Sequence, residues 1–162
     1  MKRKISLRPM TKKMYHRFFK KYQNDPDLFL DKKDFKPYVY DKKKVDVYIK
    51  WQTTLRRLPF AICLGYKIVG ELKIYNIVEK TSATLGISMI NDKYKNKGFG
   101  TQAEMLAIDY VFNTLDIPVL YADSILTNLR SQHVLEKVGF RFLHQDDKKK
   151  YYCIERKSIY IK

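Results

Sequence analysis

A lysine-rich loop with two glycines one residue apart is the segment best suited to chemistry. It follows a strand-like run that ends near Ile90 and opens a stretch with helical spacing of apolar residues. The first N–H groups of a helix are unpaired and carry its positive dipole end, and glycines let phosphate oxygens approach them. The loop therefore predicts a pyrophosphate site. Its residues are Lys95, Asn96, Lys97, Gly98, Phe99, Gly100 and Thr101.

The glycine spacing also fits a dinucleotide site. Gly98-x-Gly100-x-x-Ala103 matches that pattern, and Asp123 lies about 20 residues further on, where an acid would bind a ribose. Dinucleotide glycines, however, follow their strand immediately, whereas here several residues separate Ile90 from Gly98. The preceding strands also read as an antiparallel meander rather than as a parallel sheet. The dinucleotide interpretation is therefore disfavoured.

A second block supports another interpretation. It contains Asn128-Leu-Arg-Ser131 and then Leu135-Glu-Lys-Val-Gly-Phe140. Together with the glycine loop, this block resembles the GCN5-related N-acetyltransferase (GNAT) superfamily, most closely its ribosomal-protein N-terminal acetyltransferase branch. The resemblance covers roughly Phe60–Tyr160, and the part before it fits the family's first strand and two helices.

The resemblance implies direct transfer of an acetyl group from acetyl-CoA to a primary amine, either a protein N-terminal α-amine or a small amine. The loop would then hold the pyrophosphate of coenzyme A. The backbone of the preceding strand end would pair with the pantetheine arm, and the second block would complete the site. The residues implied, besides those of the loop, are Met89, Ile90, Asn91, Asn128, Ser131 (toward the thioester sulfur) and Lys137 (toward the adenosine phosphate). For Lys137 the alternative is a solvated cation in the last turn of its helix, where it suits the helix dipole.

Two positions depart from the family pattern. Lys95 stands where glutamine or arginine is usual, which keeps the charge but changes the geometry. Leu135 stands where many relatives carry a tyrosine that acts as general acid. Departure of the thiolate would then depend on Ser131, another tyrosine, a water molecule, or no acid at all, since a thiolate is a reasonable leaving group near neutral pH.

The attacking amine must lose a proton, so a general base is expected. Glu71 is the first candidate, with an outward-facing strand carboxylate as the alternative. Weaker candidates are Glu79 and Asp123, and a backbone N–H near Met89 or Ile90 would stabilise the oxyanion. The remaining side chains have both a functional and a structural interpretation: His133 as a base or a solvated helix residue, and Tyr75, Tyr121, Trp51 and Phe35 as acceptor pocket or core.

A regular succession of strands and helices is expected to position these residues. Strands are expected at Ile5–Met10, Phe60–Leu64, Lys67–Val78, Thr84–Ile90, Val119–Ile125, Phe140–His144 and Tyr151–Ile161, with a tight hairpin at Gly65-Tyr66. Helices are expected at Thr11–Gln23, Asp41–Leu55, Gly100–Leu115 and Asn128–Val138, the last closed by Gly139. This order predicts an α+β (mixed α/β) protein. The resemblance implies a mixed, largely antiparallel central sheet flanked by about four helices, in one domain over residues 1–162.

Composition and charge exclude some classes of function and leave one alternative open. The chain of 162 residues has a net charge of +16, most of it in the first 50 residues, and only two cysteines. These features predict no metal site, no membrane span and a cytoplasmic monomer or homodimer. The charge leaves one alternative open: a basic nucleic-acid- or ribosome-associated module on the same fold without turnover. Because the sequence contains no recognised nucleic-acid motif, this alternative is not favoured.

Overall fold

The computed structural model describes residues 4–156, which form one seven-stranded mixed sheet with helices on both faces. The strands run in the order β1-β2-β3-β4-β5-β7-β6, and only the β4–β5 pair is parallel. Their bounds are β1 Ser6–Pro9, β2 Leu58–Leu64, β3 Lys67–Val78, β4 Ser82–Met89, β5 Val119–Ile125, β6 Arg141–Gln145 and β7 Lys149–Glu155. The α-helices are α1 Lys12–Phe19, α2 Lys42–Thr54, α3 Phe99–Asp109 and α4 Leu129–Val138, and a π-helical turn at Tyr110–Thr114 extends α3.

Local sequence signals place most helix ends. The side chains of Thr11, Asp41 and Asn128 accept a backbone N–H at the starts of α1, α2 and α4, as the sequence predicts. Gly139 ends α4 in the left-handed conformation, with φ 110°. Helix α1 ends earlier than predicted because the chain then turns toward the sheet, where the Gln23 N–H donates to the Ile90 carbonyl at 2.8 Å.

The parallel pair β4–β5 opens into a wedge. The two strands pair only over Ser82–Leu85 and Val119–Ala122. Beyond this point β4 continues to Met89 against β3, and β5 continues to Ile125 against β7. Since β3 and β4 are antiparallel and a long loop separates Met89 from Gly98, the dinucleotide interpretation is wrong, and the mixed, largely antiparallel sheet is confirmed.

The two faces of the sheet have different contents. Helix α3 covers the apolar face, where Leu72, Ile74 and Leu120 pack with Ala103 and Ala107 in the main core. Helices α1 and α2 pack on the opposite face of β3.

The predicted last strand begins at Lys149 rather than at Tyr151, and its tail beyond residue 156 lies outside the described residues. No helix between residues 4 and 156 is long and apolar enough to cross a membrane.

Candidate acyl-transfer site

A cavity of about 370 Å³ occupies the open end of the β4–β5 wedge, between α3, α4 and the segment that follows α1. Nine of the predicted cofactor residues line it: Met89, Lys95, Asn96, Gly98, Gly100, Thr101, Asn128, Ser131 and Lys137. Ile90, Asn91, Lys97 and Phe99 do not. The structure therefore brings the glycine loop and the second block, which are separate in sequence, to one cavity.

The four remaining residues have other surroundings. The Ile90 N–H donates to the Val69 carbonyl at 2.9 Å, and its carbonyl accepts from Gln23, so both backbone groups are already paired. The Asn91 side chain accepts the Lys93 N–H at 3.2 Å and starts a short 3₁₀ turn. The side chain of Phe99 is buried in the core, although its backbone begins α3, and Lys97 is exposed.

The start of α3 has the geometry of an anion site. Gly98 precedes the helix with φ 77° and no side chain caps its first N–H groups, whereas α1, α2 and α4 each have a side-chain cap. A Cβ at Gly98 or Gly100 would meet no atom within 4 Å, so the backbone here is open to the cavity. Free helix N–H groups beside open space fit a pyrophosphate.

Lys95 is not a free cation. Its Nζ forms ion pairs with Asp25 and, at 2.7 Å, with Asp92, and its side chain is only 10% exposed. Burial alone would raise the pKa of Asp25, but hydrogen bonds from Lys95 and from the Asp27 N–H lower it below its usual value. Lys95 therefore ties the glycine loop to the segment after α1. The sequence analysis did not identify this role of Asp25.

Helix α4 presents a hydroxyl group to the cavity. Asn128 Oδ1 accepts the Ser131 N–H at 3.1 Å, which caps the helix and fixes the start of α4. Ser131 lines the cavity, and its hydroxyl makes no hydrogen bond within residues 4–156. Leu135 is buried in the core, so this position supplies no acid. Two tyrosines that the sequence did not single out, Tyr22 and Tyr94, also line the cavity.

Glu71 lies outside the cavity in a buried polar cluster. It is 3% exposed, and the Tyr48 hydroxyl lies 2.9 and 3.1 Å from its two carboxyl oxygens. Lys73 Nζ donates to the same hydroxyl at 2.9 Å. Burial raises the pKa of Glu71, although Lys73 and the hydrogen bond from Tyr48 oppose this effect. The outward-facing interpretation of Glu71 is therefore wrong. Its cross-strand neighbour Ser88, and not Glu71 itself, lines the cavity.

The cavity contains a carboxyl group that sequence reasoning missed. Glu104, on α3, is 1% exposed, and its Oε2 has no hydrogen-bond partner in the described part of the chain. Burial raises its pKa to about 8. A signal was present in the sequence, because Glu104 lies three and four residues before Ala107 and Ile108 and thus falls on the apolar face of the helix.

A second cavity, of about 440 Å³, lies beside the paired end of β4 and β5. Tyr75, Tyr121 and Asp123 line it, and Asp123 forms an ion pair of 2.7 Å with Lys149. The other predicted acceptor and base residues lie elsewhere. Trp51 and Glu79 are exposed, Phe35 packs edge-on against Phe29 at 5.6 Å, and His133 is an exposed residue at the edge of the first cavity. Residues 4–156 contain no cluster of three or more metal-ligating side chains.

Comparison with known proteins gives one family and one fold. A family model described as "Acetyltransferase (GNAT) domain" matches residues 4–141. The Bacillus subtilis (strain 168) protein "Probable N-acetyltransferase YjcK" is 35% identical over 75 residues, which are 46% of this chain and 41% of that protein. The match therefore spans less than half of this relative's length.

Three solved structures show the same fold at low sequence identity. Aminoglycoside acetyltransferase AAC(6')-Ib in complex with coenzyme A has a TM-score of 0.77 at 15% identity, covering 96% of this chain and 97% of that one. Apo FdhC, a nucleotide-linked sugar GNAT, has a TM-score of 0.79 at 18% identity, covering 96% and 89%. Mycobacterium smegmatis RimJ in complex with CoA-disulfide has a TM-score of 0.73 at 20% identity, covering 96% and 84%.

Proposed function

The chain belongs to the GNAT acetyltransferase domain family, and from this membership we propose that it transfers acetyl from acetyl-CoA directly to a primary amine. One observation carries the proposal: the uncapped start of α3 opens onto a cavity at the point where β4 and β5 separate. Such a cavity offers free N–H groups for a pyrophosphate and an unpaired strand edge for an extended arm.

Each part of the cavity has a role in this proposal. The N–H groups of Phe99, Gly100 and Thr101 bind the pyrophosphate, and Lys137 binds an adenosine phosphate. The edge of β4 from Gly86 to Met89, which β5 leaves unpaired, hydrogen-bonds the pantetheine arm. Acetyl-CoA, when bound, supplies an acetyl group activated as a thioester.

We assign the support of the leaving group to Ser131. Its hydroxyl is free of hydrogen bonds within the described range and lies in the cavity, so it can donate to a developing thiolate. No carboxylate of the described residues is suited to accept the proton of the acceptor amine at pH 7, because Glu104 keeps its own proton there, and His133 lies at the exposed edge of the cavity. The pKa of Asp25 is lowered by its hydrogen bonds, and Glu71 is buried outside the cavity. The acceptor amine therefore loses its proton to water, and an amine with a low pKa is favoured.

This argument favours a peptide α-amine as the acceptor. Its reference pKa of about 7.7–8.0 leaves a useful fraction neutral at physiological pH, whereas a lysine or polyamine nitrogen near ~10.4 is almost fully protonated. The carboxylates Asp25 and Asp123, one in each cavity, are both ion-paired with lysines. Since Glu104 keeps its proton at pH 7, neither cavity presents a free negative charge from the described residues that would hold a polycation.

The test combines binding and turnover. Release of free CoA thiol is measured with acetyl-CoA and matched concentrations of peptides with free N-termini, small monoamines, polyamines and aminoglycosides. Thermal unfolding with and without CoA reports the cofactor site, since a ligand at 100-fold its Kd stabilises by about 2.7 kcal/mol. The Gly100→Glu substitution places a negative side chain in the open cradle and should abolish the CoA shift, whereas Tyr66→Glu, at an exposed hairpin turn, should not.

Two outcomes oppose the proposal. An undiminished CoA shift in Gly100→Glu would remove the loop from the site. Absence of thiol release with every amine, despite CoA binding, would favour a binding module without turnover.

A further inference from the structure

Glu104 lines the cavity from α3, about one turn after the open start of the helix. Parallel strands β4 and β5 are joined through α3, so the helix runs back along β4 toward its start. Glu104 is four residues, or about 6 Å of helix rise, beyond Gly100. It thus lies between the N–H groups at the start of α3 and the point after Leu85 where β4 leaves β5.

Glu104 is buried without a hydrogen-bond partner for its Oε2 among the described residues. This oxygen is fully enclosed. A buried polar group without a partner costs about 1–3 kcal/mol. A carboxyl group at this position is therefore unfavourable in the free protein and becomes favourable when a polar ligand enters the cavity.

We propose that Glu104 hydrogen-bonds an amide group of the donor's pantetheine arm inside the wedge. The inference rests on the acetyl-CoA-dependent activity proposed above. An arm that starts at the N–H groups of α3 and ends at the wedge must pass Glu104, and its amides offer both N–H and C=O groups. Glu104 is then a positioning residue that holds the arm at a fixed depth.

The protonation state of Glu104 links donor binding to pH. Because burial raises the pKa to about 8, the carboxyl group is neutral at pH 7 and can both donate and accept a hydrogen bond. Ionisation removes the donor and leaves a buried negative charge, so binding of an amide carbonyl weakens above pH 8.

Other titratable groups share the cavity from three sides. The segment after α1 contributes Tyr22 and Asp25, the loop before α3 contributes Tyr94 and Lys95, and α4 contributes Arg130, His133 and Lys137. From β4 only the neutral residues Ile87, Ser88 and Met89 face the cavity. Since these groups also affect the pH dependence of CoA binding, the wild type must be compared with a variant in which only the ionisation of Glu104 is removed.

The experiment compares two ligands by calorimetry. Coenzyme A carries the pantetheine arm, whereas adenosine 3′,5′-bisphosphate carries the nucleotide alone. We expect Glu104→Leu to weaken CoA binding about 10-fold, the equivalent of one hydrogen bond, and to leave adenosine 3′,5′-bisphosphate binding unchanged. Glu104→Gln, which keeps both a donor and an acceptor, should bind CoA within about 3-fold of the wild type at pH 7. Between pH 7 and 9 the wild type should lose more CoA affinity than Glu104→Gln.

Three results would contradict the proposed role of Glu104. It fails if Glu104→Leu binds CoA as tightly as the wild type, or if it loses affinity for both ligands equally. It also fails if wild type and Glu104→Gln have the same pH dependence, a comparison that does not require the leucine variant to fold. If the wild type binds neither ligand, the proposed function itself fails, which separates that failure from failure of the role of Glu104.

Discussion

Two buried carboxyl groups, Glu71 and Glu104, distinguish two regions of this molecule. They are 3% and 1% exposed, and burial raises the pKa of both. Glu71 shares a polar cluster with Tyr48 and Lys73 on the face covered by α1 and α2. Glu104 faces the cavity, and its Oε2 has no partner in residues 4–156. Hydrogen-bond pairing, rather than burial, therefore distinguishes these two carboxyl groups.

The starts of helices α3 and α4 show the same contrast between unpaired and paired polar groups. Asn128 caps α4 with its own side chain, whereas the first N–H groups of α3 have no side-chain cap. The cavity therefore collects polar groups that have no partner within residues 4–156: the first N–H groups of α3, the Ser131 hydroxyl and Glu104 Oε2. Unpaired polar groups at one cavity indicate a ligand that pairs with them.

The first prediction concerns the polar cluster around Glu71. Glu71→Leu leaves the Tyr48 hydroxyl without its carboxyl acceptor, while Lys73 keeps its hydrogen bond to that hydroxyl, and leaving a buried polar group without its partner costs about 1–3 kcal/mol. We expect the free energy of unfolding, measured by urea titration, to fall by that order. A loss below about 1 kcal/mol would mean that the cluster contributes little, and the contrast with Glu104 would then fail.

The same cluster decides whether Glu71 is the general base predicted from the sequence. Glu71→Gln keeps the shape and an acceptor for Tyr48. If Glu71 is structural, CoA affinity and turnover should stay within about 3-fold of the wild type. A turnover loss of roughly 10²-fold that shrinks as pH rises would instead establish Glu71 as the base.

The second prediction concerns stability at Glu104. Glu104→Leu removes an unpaired buried oxygen, so we expect a gain of about 1–3 kcal/mol at pH 5. The gain should widen as pH rises. The folded protein keeps a proton up to a pKa of about 8, whereas an unfolded glutamate releases it near ~4.3, so wild-type stability falls between these values by up to about 1.4 kcal/mol per pH unit.

Urea titrations at pH 5, 6.5 and 8 measure this difference directly. The raised pKa of Glu71 acts equally in both proteins and cancels in the comparison. Parallel pH profiles for wild type and Glu104→Leu would show that Glu104 does not keep its proton in the folded state.

The sequence predicted what depends on neighbouring residues and missed what depends on packing. The helix starts at Asp41 and Asn128 and the closing Gly139 were identified because the signals for them act within a few residues. The Asp25–Lys95 pair joins residues 70 apart and follows from the turn after α1. The burial of Glu71 depends in the same way on where α2 packs, which no local pattern encodes.

The smallest effect tests the free hydroxyl of the cavity. Ser131→Ala removes the proposed donor to the leaving thiolate but keeps the backbone N–H that Asn128 accepts, so the cap of α4 should persist. We expect turnover to fall about 10-fold, the equivalent of one hydrogen bond, with CoA affinity and unfolding free energy unchanged.

Asn128→Ala is the matched control, because it should lose about 1 kcal/mol of stability through the missing cap. Single-turnover measurements ensure that chemistry is observed rather than product release. If Ser131→Ala reacts at the wild-type rate under those conditions, the thiolate leaves without Ser131, and the unpaired hydroxyl in the cavity has no part in the chemistry.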